Sequence, residues 1–182
     1  MNTVLANRTD CITLVLDDVH DPHNVAAVLR SADAFGVSRV HAVEGGASVR
    51  ISNRVARGTQ NWVELCRYRN RETLLERLRQ DRVAIWVAAA DEKSRPLEAW
   101  QPDRHPTAFV FGNEHRGVDP FWREHADEIF AIPMVGMVES LNISVACAVT
   151  LHAVRTRLER SAIDWRLTDE RRQEILQHWT AQ

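Results

Sequence analysis

The alternation of short apolar runs with helical segments restricts the fold of this chain more than any other feature. Residues 11–16 (CITLVL) form a continuously apolar run, which is typical of a strand covered on both faces. From residue 23 or 24 to residue 35 the apolar positions recur at helical spacing, Gly36 stands at the expected helix C-cap, and Arg39–Val43 predicts a second strand. Such a strand, helix and strand unit normally contains two parallel strands.

The same alternation continues along the chain. We predict further strands at 61–68, 83–89, 107–111 and 128–132, and further helices at 52–57, at 71–80, after Pro120, at 143–160 and at 168–179. This order predicts an α/β fold in which helices flank a mainly parallel sheet. We expect one domain over 1–182, with a short N-terminal segment at 1–10 and a C-terminal helical extension at 161–182.

Composition does not suggest a membrane, secretory or metal-binding protein. No run of eighteen apolar residues occurs, and the start MNTVLANRTD lacks the basic and apolar regions of a signal peptide, so we expect a cytoplasmic protein without a membrane partner. Cys11, Cys66 and Cys147 are far apart in apolar segments, which favours core thiols over disulfides. The zinc spacings HExxH and CxxC do not occur, so we predict no metal.

Arginine is concentrated in one part of the chain. The net charge of −2 does not favour a nucleic-acid partner, but residues 50–82 contain nine arginines and four acids, a local balance of +5. If a helix extends back to residue 50, then Arg50, Arg54 and Arg57 share one face and would follow an RNA phosphate backbone. A solvated face without a partner explains the same stripe equally well.

Three polar clusters follow predicted strands. They are DDVHDPHN after the first strand, GNEHRG after the strand at 107–111, and PMVGMVESLN after the strand at 128–132. Ligands bind at the carboxyl ends of strands in open parallel sheets, so one site can draw on all three clusters. GNEHRG is followed by Val118 and Asp119 instead of the Lys-Ser/Thr of a phosphate loop, and neither GxGxxG nor GxSxG occurs.

The third cluster leads into a long apolar helix. Ser140 and Asn142 stand where helix caps are common, so a capped core helix is one interpretation. The predicted buried band of this helix consists of Ile143, Ala146, Cys147, Val149, Thr150, Ala153 and Val154. The loop before the helix is apolar between Met134 and Val138, and exposed apolar side chains in a loop indicate a bound ligand.

Taken together, the three clusters resemble the motifs of the SPOUT superfamily of RNA methyltransferases, in the TrmH-like branch of ribose 2′-O-methyltransferases. The resemblance is carried by LDDVHDPHNVAAVLRSADAFGV, FVFGNEHRGV and IPMVGMVESLNISVACAV, in the family's order. The residues at matching spacing are Asn24 and Arg30, then Gly112, Glu114 and Gly117, then Ser140 and Asn142. Within the branch, GMVESLNISVA and the segment GTQNWVEL at 58–65 look nearest to tRNA guanosine-18 enzymes.

The resemblance implies a chemistry, a fold and partners. It implies S-adenosylmethionine as methyl donor, the ribose 2′-oxygen of guanosine 18 in tRNA as target, a C-terminal trefoil knot and a homodimer. Ribosomal RNA is the alternative substrate, and an RNA-binding protein without catalysis is the alternative from another class. The implied catalytic residues are Asn24, Arg30, Glu114, Ser140 and Asn142. The implied cofactor-binding residues are Val110, Phe111, Gly112, Ile132, Pro133, Met134 and Leu141.

The implied catalytic residues also have structural interpretations. In this family the arginine that matches Arg30 is the proposed base, but a guanidinium is a poor proton acceptor because its pKa lies far above neutral pH. Arg30 would instead hold a phosphate with two hydrogen bonds, or, as an ordinary surface residue, pair with Asp33. Asn24, Ser140 and Asn142 would be helix caps.

Overall fold

The computed structural model describes residues 1–44, 58 and 61–180 of the chain. Its helices are α1 (Asn2–Leu5), α2 (Pro22–Ala34), α3 (Arg71–Gln80), α4 (Pro120–Glu124), α5 (Ile143–Arg160) and α6 (Asp169–Thr180), and a 3-10 helix covers Leu97–Ala99. Its strands are β1 (Ile12–Asp17), β2 (Arg39–Val43), β3 (Glu64–Tyr68), β4 (Ala84–Ala88), β5 (Arg95–Pro96), β6 (Thr107–Phe111) and β7 (Glu128–Ala131).

The described part of the chain forms one seven-stranded sheet in the order β3-β2-β1-β6-β4-β7-β5. Its neighbouring strands are parallel, which confirms the predicted parallel sheet. β1 and β6 are neighbours, and the chain continues from β1 to β2 on one side of this pair and from β6 to β7 on the other side. The carboxyl ends of these two strands therefore place the first two polar clusters side by side, at the position where open α/β sheets bind ligands.

Helices cover both faces of the sheet. In β1 all six residues are buried, and alternate side chains enter different cores, with Leu14 on one face and Val15 on the other. The first core also contains apolar residues of α2 and α5, such as Leu151, and the second contains Leu74 of α3 and Trp122 of α4. Burial on both faces explains why the first strand is continuously apolar.

The start of α2 differs from the sequence prediction. The helix begins at Pro22, and the carboxylate of Asp21 caps it by accepting a hydrogen bond from the His23 amide at 2.8 Å. Asn24 already lies inside the first turn, so it is not the helix cap. Its side chain is therefore available for contacts with other segments.

The buried face of α5 differs in part from the predicted apolar band. The buried residues of this helix include Ile143, Cys147, Thr150 and Val154, as predicted. Val149 is 39% exposed, because the core-facing stripe continues through Leu151 and Leu158 instead. Two short elements, α1 and β5, were not predicted, since four and two residues are too few to show a period.

Acids from elsewhere in the chain pair with three of the six described arginines in the arginine-rich stretch. Arg50, Arg54 and Arg57 lie outside the described residues, so the stripe stays a prediction. The ion pairs join Arg67 to Glu44, Arg71 to Asp17 and Asp119, Arg77 to Asp81, and Arg79 to Asp127. Four of these five acids lie outside residues 50–82, so the local balance of +5 overstates the unpaired positive charge.

The three cysteines are free thiols, as predicted, but only Cys147 is a core residue, because Cys11 and Cys66 are half-buried. Cys147 is fully buried in α5, and burial raises the pKa of its thiol well above the usual value. Among the helices that the structure describes, none is long and apolar enough to cross a membrane.

Candidate active site

A pocket of about 340 Å³ opens at the carboxyl ends of β4, β6 and β7. The loop that precedes α5 forms the rest of its wall. The pocket is lined by five of the seven predicted cofactor-binding residues, namely Phe111, Gly112, Ile132, Met134 and Leu141. Its volume falls within the range of small-molecule sites, about 300–1,000 Å³.

The other two predicted cofactor-binding residues lie outside the lining. Val110 is fully buried and belongs to the core on the opposite face of the sheet, and Pro133 is exposed beside the pocket-lining Ile132. The resemblance assigned backbone contacts to these positions, and that assignment stays a prediction.

The first glycine of GNEHRG allows a close approach of two backbone segments. A Cβ on Gly112 would lie 2.2 Å from the carbonyl oxygen of Gly117, which is too close for any side chain. Gly117 has a φ of +70°, and its amide donates to the carbonyl oxygen of Asn113 at 2.8 Å. The loop folds back tightly, and Gly112 contributes its backbone to the pocket wall.

Three side chains from three motifs form one hydrogen-bonded chain beside this pocket. Asn142 Nδ2 donates to Asn24 Oδ1 at 3.2 Å, and Asn24 Nδ2 donates to Glu114 Oε1 at 2.8 Å. Glu114 and Asn142 line the pocket, and Asn24 joins them from α2. The structure thus brings together three of the five predicted catalytic residues, which are up to 118 positions apart in the sequence.

Asn142 caps α5 and also belongs to the hydrogen-bonded chain of side chains. Its Oδ1 accepts hydrogen bonds from the amide of Ser144 at 2.9 Å and from the Ser144 hydroxyl at 2.6 Å, so it caps α5. The Nδ2 group remains to donate to Asn24. Because the helix start fixes the oxygen, it also fixes the direction in which the donor points.

Arg30 and Ser140 stand apart from the hydrogen-bonded chain. Arg30 is exposed on α2, and among the described residues no carboxylate pairs with its guanidinium. Asp33, its possible partner from the sequence, forms an ion pair with Arg8 instead. Ser140 lies in the pocket wall beside Leu141. The structure therefore places Ser140 at the pocket and leaves Arg30 available at the surface.

A buried carboxylate anchors the end of β1 near these loops. Asp17 is 1% exposed, and burial raises the pKa of its carboxyl group above the usual value. The hydrogen bond and charge of Arg71 act in the opposite direction but do not outweigh burial. Arg71 Nε lies 2.9 Å from Asp17, and its Nη2 lies 3.2 Å from Asp119. These bonds tie the end of β1 to α3 and to the start of α4, so they support the loops that follow β1 and β6.

Sequence reasoning gave no role to three residues that also join these loops. Asn113 is buried, and its Nδ2 donates to the carbonyl oxygen of Asp18 at 2.9 Å. Arg116 forms an ion pair with the Asp18 carboxylate. An asparagine after a loop glycine is typical of an Asx turn, but any surface turn shows the same signal. The sequence therefore gave no reason to connect Asn113 with Asp18.

Comparison with known proteins extends the likeness over most of the chain. Residues 11–152 match the family described as the SpoU rRNA Methylase family. The tRNA (guanosine(18)-2′-O)-methyltransferase of Thermus thermophilus is 37% identical over 178 residues, which cover 97% of this chain and 91% of that protein. The crystal structure of the A. aeolicus TrmH/SpoU tRNA modifying enzyme matches with a TM-score of 0.88 at 30% identity, over 98% of this chain and 91% of that one. The AdoMet-bound rRNA methyltransferase from Sinorhizobium meliloti matches with a TM-score of 0.73 at 25% identity, over 84% of this chain and 58% of that one.

Proposed function

Since this chain belongs to the SpoU rRNA Methylase family, we propose that it transfers a methyl group from S-adenosylmethionine to the ribose 2′-oxygen of guanosine 18 in tRNA. The Thermus relative supports the tRNA target, because the aligned region covers 91% of that protein. The observation that carries the proposal is the hydrogen-bonded chain of Asn142, Asn24 and Glu114, which assembles one polar site from three motifs beside a pocket.

The residues of the pocket fit S-adenosylmethionine. Phe111, Ile132 and Leu141 give an apolar wall for an adenine ring, and Gly112 offers backbone groups without a side chain in the way. Glu114 and Glu139 bring two carboxylates to the same wall. S-adenosylmethionine supplies a reactive methyl group on a positively charged sulfur, and these carboxylates match that charge.

The hydrogen-bonded chain gives the site fixed polar groups for the ribose. Asn24 accepts from Asn142 and donates to Glu114, so its amide cannot rotate without breaking both bonds. The carboxylate of Glu114 keeps further acceptor capacity for a hydroxyl of the substrate. In the net reaction the bond from oxygen to methyl forms, the bond from sulfur to methyl breaks, and the hydroxyl proton leaves to solvent. Alignment within about 3–3.5 Å is the main contribution that such a site makes.

We assign to Arg30 the binding of an RNA phosphate. A guanidinium presents a planar fork of donors that suits a phosphate group. The exposed position on α2, without a carboxylate partner among the described residues, leaves it available for that contact. The same positive charge would stabilise negative charge that develops on the ribose oxygen.

Transfer of labelled methyl groups to unmodified tRNA, followed by mapping of the modified nucleotide, tests this proposal. We expect label on the ribose of guanosine 18. A tRNA with 2′-deoxyguanosine at position 18 is the matched control and should accept none, because it lacks the acceptor oxygen. Label at another nucleotide would overturn the target, and RNA binding without transfer would favour the non-catalytic alternative.

Ribosomal RNA is the second candidate substrate. The description of the family and the AdoMet-bound relative from S. meliloti favour it. The same assay with unmodified ribosomal RNA in competition with tRNA separates the two candidates. Preferential labelling of ribosomal RNA would replace the tRNA target and leave the chemistry unchanged.

The homodimer implied by the resemblance is also part of the proposal. Val145 and Val149 lie one turn apart on α5 and are 46% and 39% exposed, and Val135 and Met137 are fully exposed in the preceding loop. Adjacent exposed apolar side chains commonly mark an interface between proteins. We expect light scattering after size-exclusion chromatography to give the mass of a dimer for the wild type and of a monomer for V145D/V149D. The matched control is V4D, which changes a similarly exposed valine on α1 and should remain dimeric.

The remaining family properties complete the proposal. The stretch from residue 132 to residue 160 would form the donor-binding loop and the last pass of the trefoil knot, residues 1–182 would act as one domain, and the cytoplasm would be the site of action. These parts rest on the family membership and on the RNA-modifying relatives.

A further inference from the structure

Asp18 adopts a left-handed backbone conformation, which residues other than glycine rarely adopt. Its φ is +58°, directly after β1, and its side chain is 8% exposed. Its amide donates to the carbonyl oxygen of Val43 at 3.0 Å, which fixes the conformation. A non-glycine residue at positive φ is strained, and such strain persists where the surroundings impose it. A buried aspartate at this position therefore needs a compensating role.

The carboxylate of Asp18 provides a contact with the loop that carries Glu114. Oδ2 forms an ion pair with the guanidinium of Arg116, whereas Oδ1 lies 3.0 Å from Nε2 of His20 without a hydrogen bond in the described structure. A buried carboxylate requires a partner such as Arg116, because burial alone strongly disfavours its charge. Arg116 lies two residues after Glu114, so the ion pair holds one end of that loop against β1.

Asn113 forms a second connection between the same two loops. Its Nδ2 donates to the carbonyl oxygen of Asp18 at 2.9 Å. Its Oδ1 accepts hydrogen bonds from the amides of His115 at 2.9 Å and Arg116 at 3.2 Å. Glu114 is thus held on both sides in the sequence, by Asn113 before it and by Arg116 after it.

We propose that Asp18, Asn113 and Arg116 form a clamp that positions Glu114 to accept the hydrogen bond from Asn24. The inference rests on the proposed function, in which Glu114 and Asn24 belong to the site of methyl transfer. In this proposal Asp18 and Arg116 are positioning residues that act through Glu114, and Asn113 adds a position in the pocket wall itself. The strained backbone of Asp18 is stabilised by these contacts, which join the first motif to the second.

Removal of charge from the clamp is expected to reduce turnover more than binding. D18N retains a residue that tolerates positive φ but loses the negative charge, and R116Q retains a polar side chain but loses the positive charge. We expect each variant to lower kcat about tenfold, with the donor Kd and the KM for tRNA within about threefold of the wild type. The double variant D18N/R116Q should be no slower than the slower single variant, because both changes break one contact.

The matched control is R79Q. Arg79 forms an ion pair with Asp127 ahead of β7, at the opposite end of the strands from the pocket. This variant loses an arginine–aspartate pair without touching the motif loops, so its kcat should equal that of the wild type. Thermal melting of all variants shows whether each one is folded.

Hydrogen exchange of the folded proteins tests the clamp without any activity. In D18N and in R116Q, peptides that cover residues 112–118 and 18–24 should exchange faster together, while the rest of the described chain is unchanged. Unchanged exchange in both peptides would overturn the clamp, as would kcat values within twofold of the wild type or single effects that multiply in the double variant. If the wild type methylates no RNA, the proposed function fails, and the exchange result still decides the clamp.

Discussion

Two polar networks connect distant parts of this chain, and they differ in how their charges are balanced. The pocket network consists of Asn24, Glu114 and Asn142. The terminal network consists of Asp10, Arg39, Glu64, Arg171 and Glu174, and it ties α6 to β2, to β3 and to the N-terminal segment. Each member of the terminal network is a charged group in an ion pair, whereas in the described residues the carboxylate of Glu114 meets only an amide.

This difference predicts that the terminal network stabilises the fold and that the pocket network binds a ligand. Where each charge meets its opposite, the contacts are complete within the fold and their removal lowers stability. Among the described residues no group of opposite charge pairs with Glu114 or Arg30, and we expect a polar site of this kind to be completed by its ligand. We therefore expect changes at the pocket to alter activity with little effect on stability, and changes in the terminal network to do the opposite.

The largest effect is expected from G112A. A Cβ at this position would lie 2.2 Å from the carbonyl oxygen of Gly117 and 2.4 Å from Cα of Val118, so the loop that carries Glu114 must move. Since displacement of a reacting group by about 1 Å costs about 100-fold in rate, we expect methyl transfer to fall by at least about that factor. Donor affinity, measured by calorimetry, should fall as well, because Gly112 belongs to the pocket wall.

The matched control for this prediction is G136A. A Cβ on Gly136 meets no described atom within 4 Å. This variant should keep its donor affinity and its rate. Equal activity of G112A and the wild type would show that the pocket network does not depend on the fold of the GNEHRG loop.

The next effect is expected from R30A. The loss of a charge-assisted, bidentate hydrogen bond to phosphate costs about 1.5–3 kcal/mol, so kcat/KM for tRNA should fall about 10- to 100-fold. The donor Kd and the melting temperature should remain those of the wild type, because the described residues offer Arg30 no carboxylate partner. R104A removes another exposed arginine and serves as control. If R30A labels tRNA as fast as R104A, the role assigned to Arg30 is wrong.

Several helices and strands could be predicted from the sequence because their apolar residues recur regularly and turn residues mark their ends. Arg39–Val43, Arg71–Gln80 and Thr107–Phe111 have the predicted bounds, since each is a regular pattern bounded by turn residues. The start of α2 was predicted at residue 23 or 24 with Asn24 as the possible cap, because no capping role was given to Asp21. The structure selects Asp21, which places Pro22 at the first helical position, where its missing amide hydrogen is harmless.

The partners of charged residues could not be predicted in the same way. Composition counted Arg71 and Arg79 as part of an unpaired basic stretch, but their carboxylates come from Asp17 and Asp127, which are 54 and 48 positions away. The pocket network was predicted only as a set of residues, from the resemblance. Its order and its hydrogen bonds depend on the strand order, in which β1 and β6 are neighbours.

The terminal network gives the opposite prediction to the pocket. Arg171 donates to Asp10 at 3.1 Å, to Glu64 at 2.8 Å and to Glu174 at 3.0 Å. R171A should lower the free energy of unfolding by about 1–2 kcal/mol, which corresponds to a fall in Tm of about 2–8 °C. Donor affinity and kcat should not change. R160A, at the exposed end of α5, is the control and should melt like the wild type.

The smallest effect is expected in the pH dependence of stability. Partial burial raises the pKa of Glu64, but its bonds to Arg171 and Arg39 outweigh this effect and lower the pKa to about 2. The stabilisation is therefore present above the unfolded value of 4.5 and is lost as the pH falls from there towards 2. Because the Glu64 side chain is 44% exposed, solvent screens the interaction, and the effect should be smaller than that of R171A.

E64Q isolates this contribution, because glutamine does not titrate. The Tm of the wild type should exceed that of E64Q at pH 6, and the difference should narrow as thermal melts are repeated at pH 5, 4 and 3. E98Q, which changes an exposed acid outside both networks, should show a difference that does not vary with pH. If the difference in Tm between the wild type and E64Q does not vary with pH, the carboxylate of Glu64 contributes no charge-dependent stability. The terminal network would then differ from the pocket network in composition only, and the stability contrast drawn between them would fail.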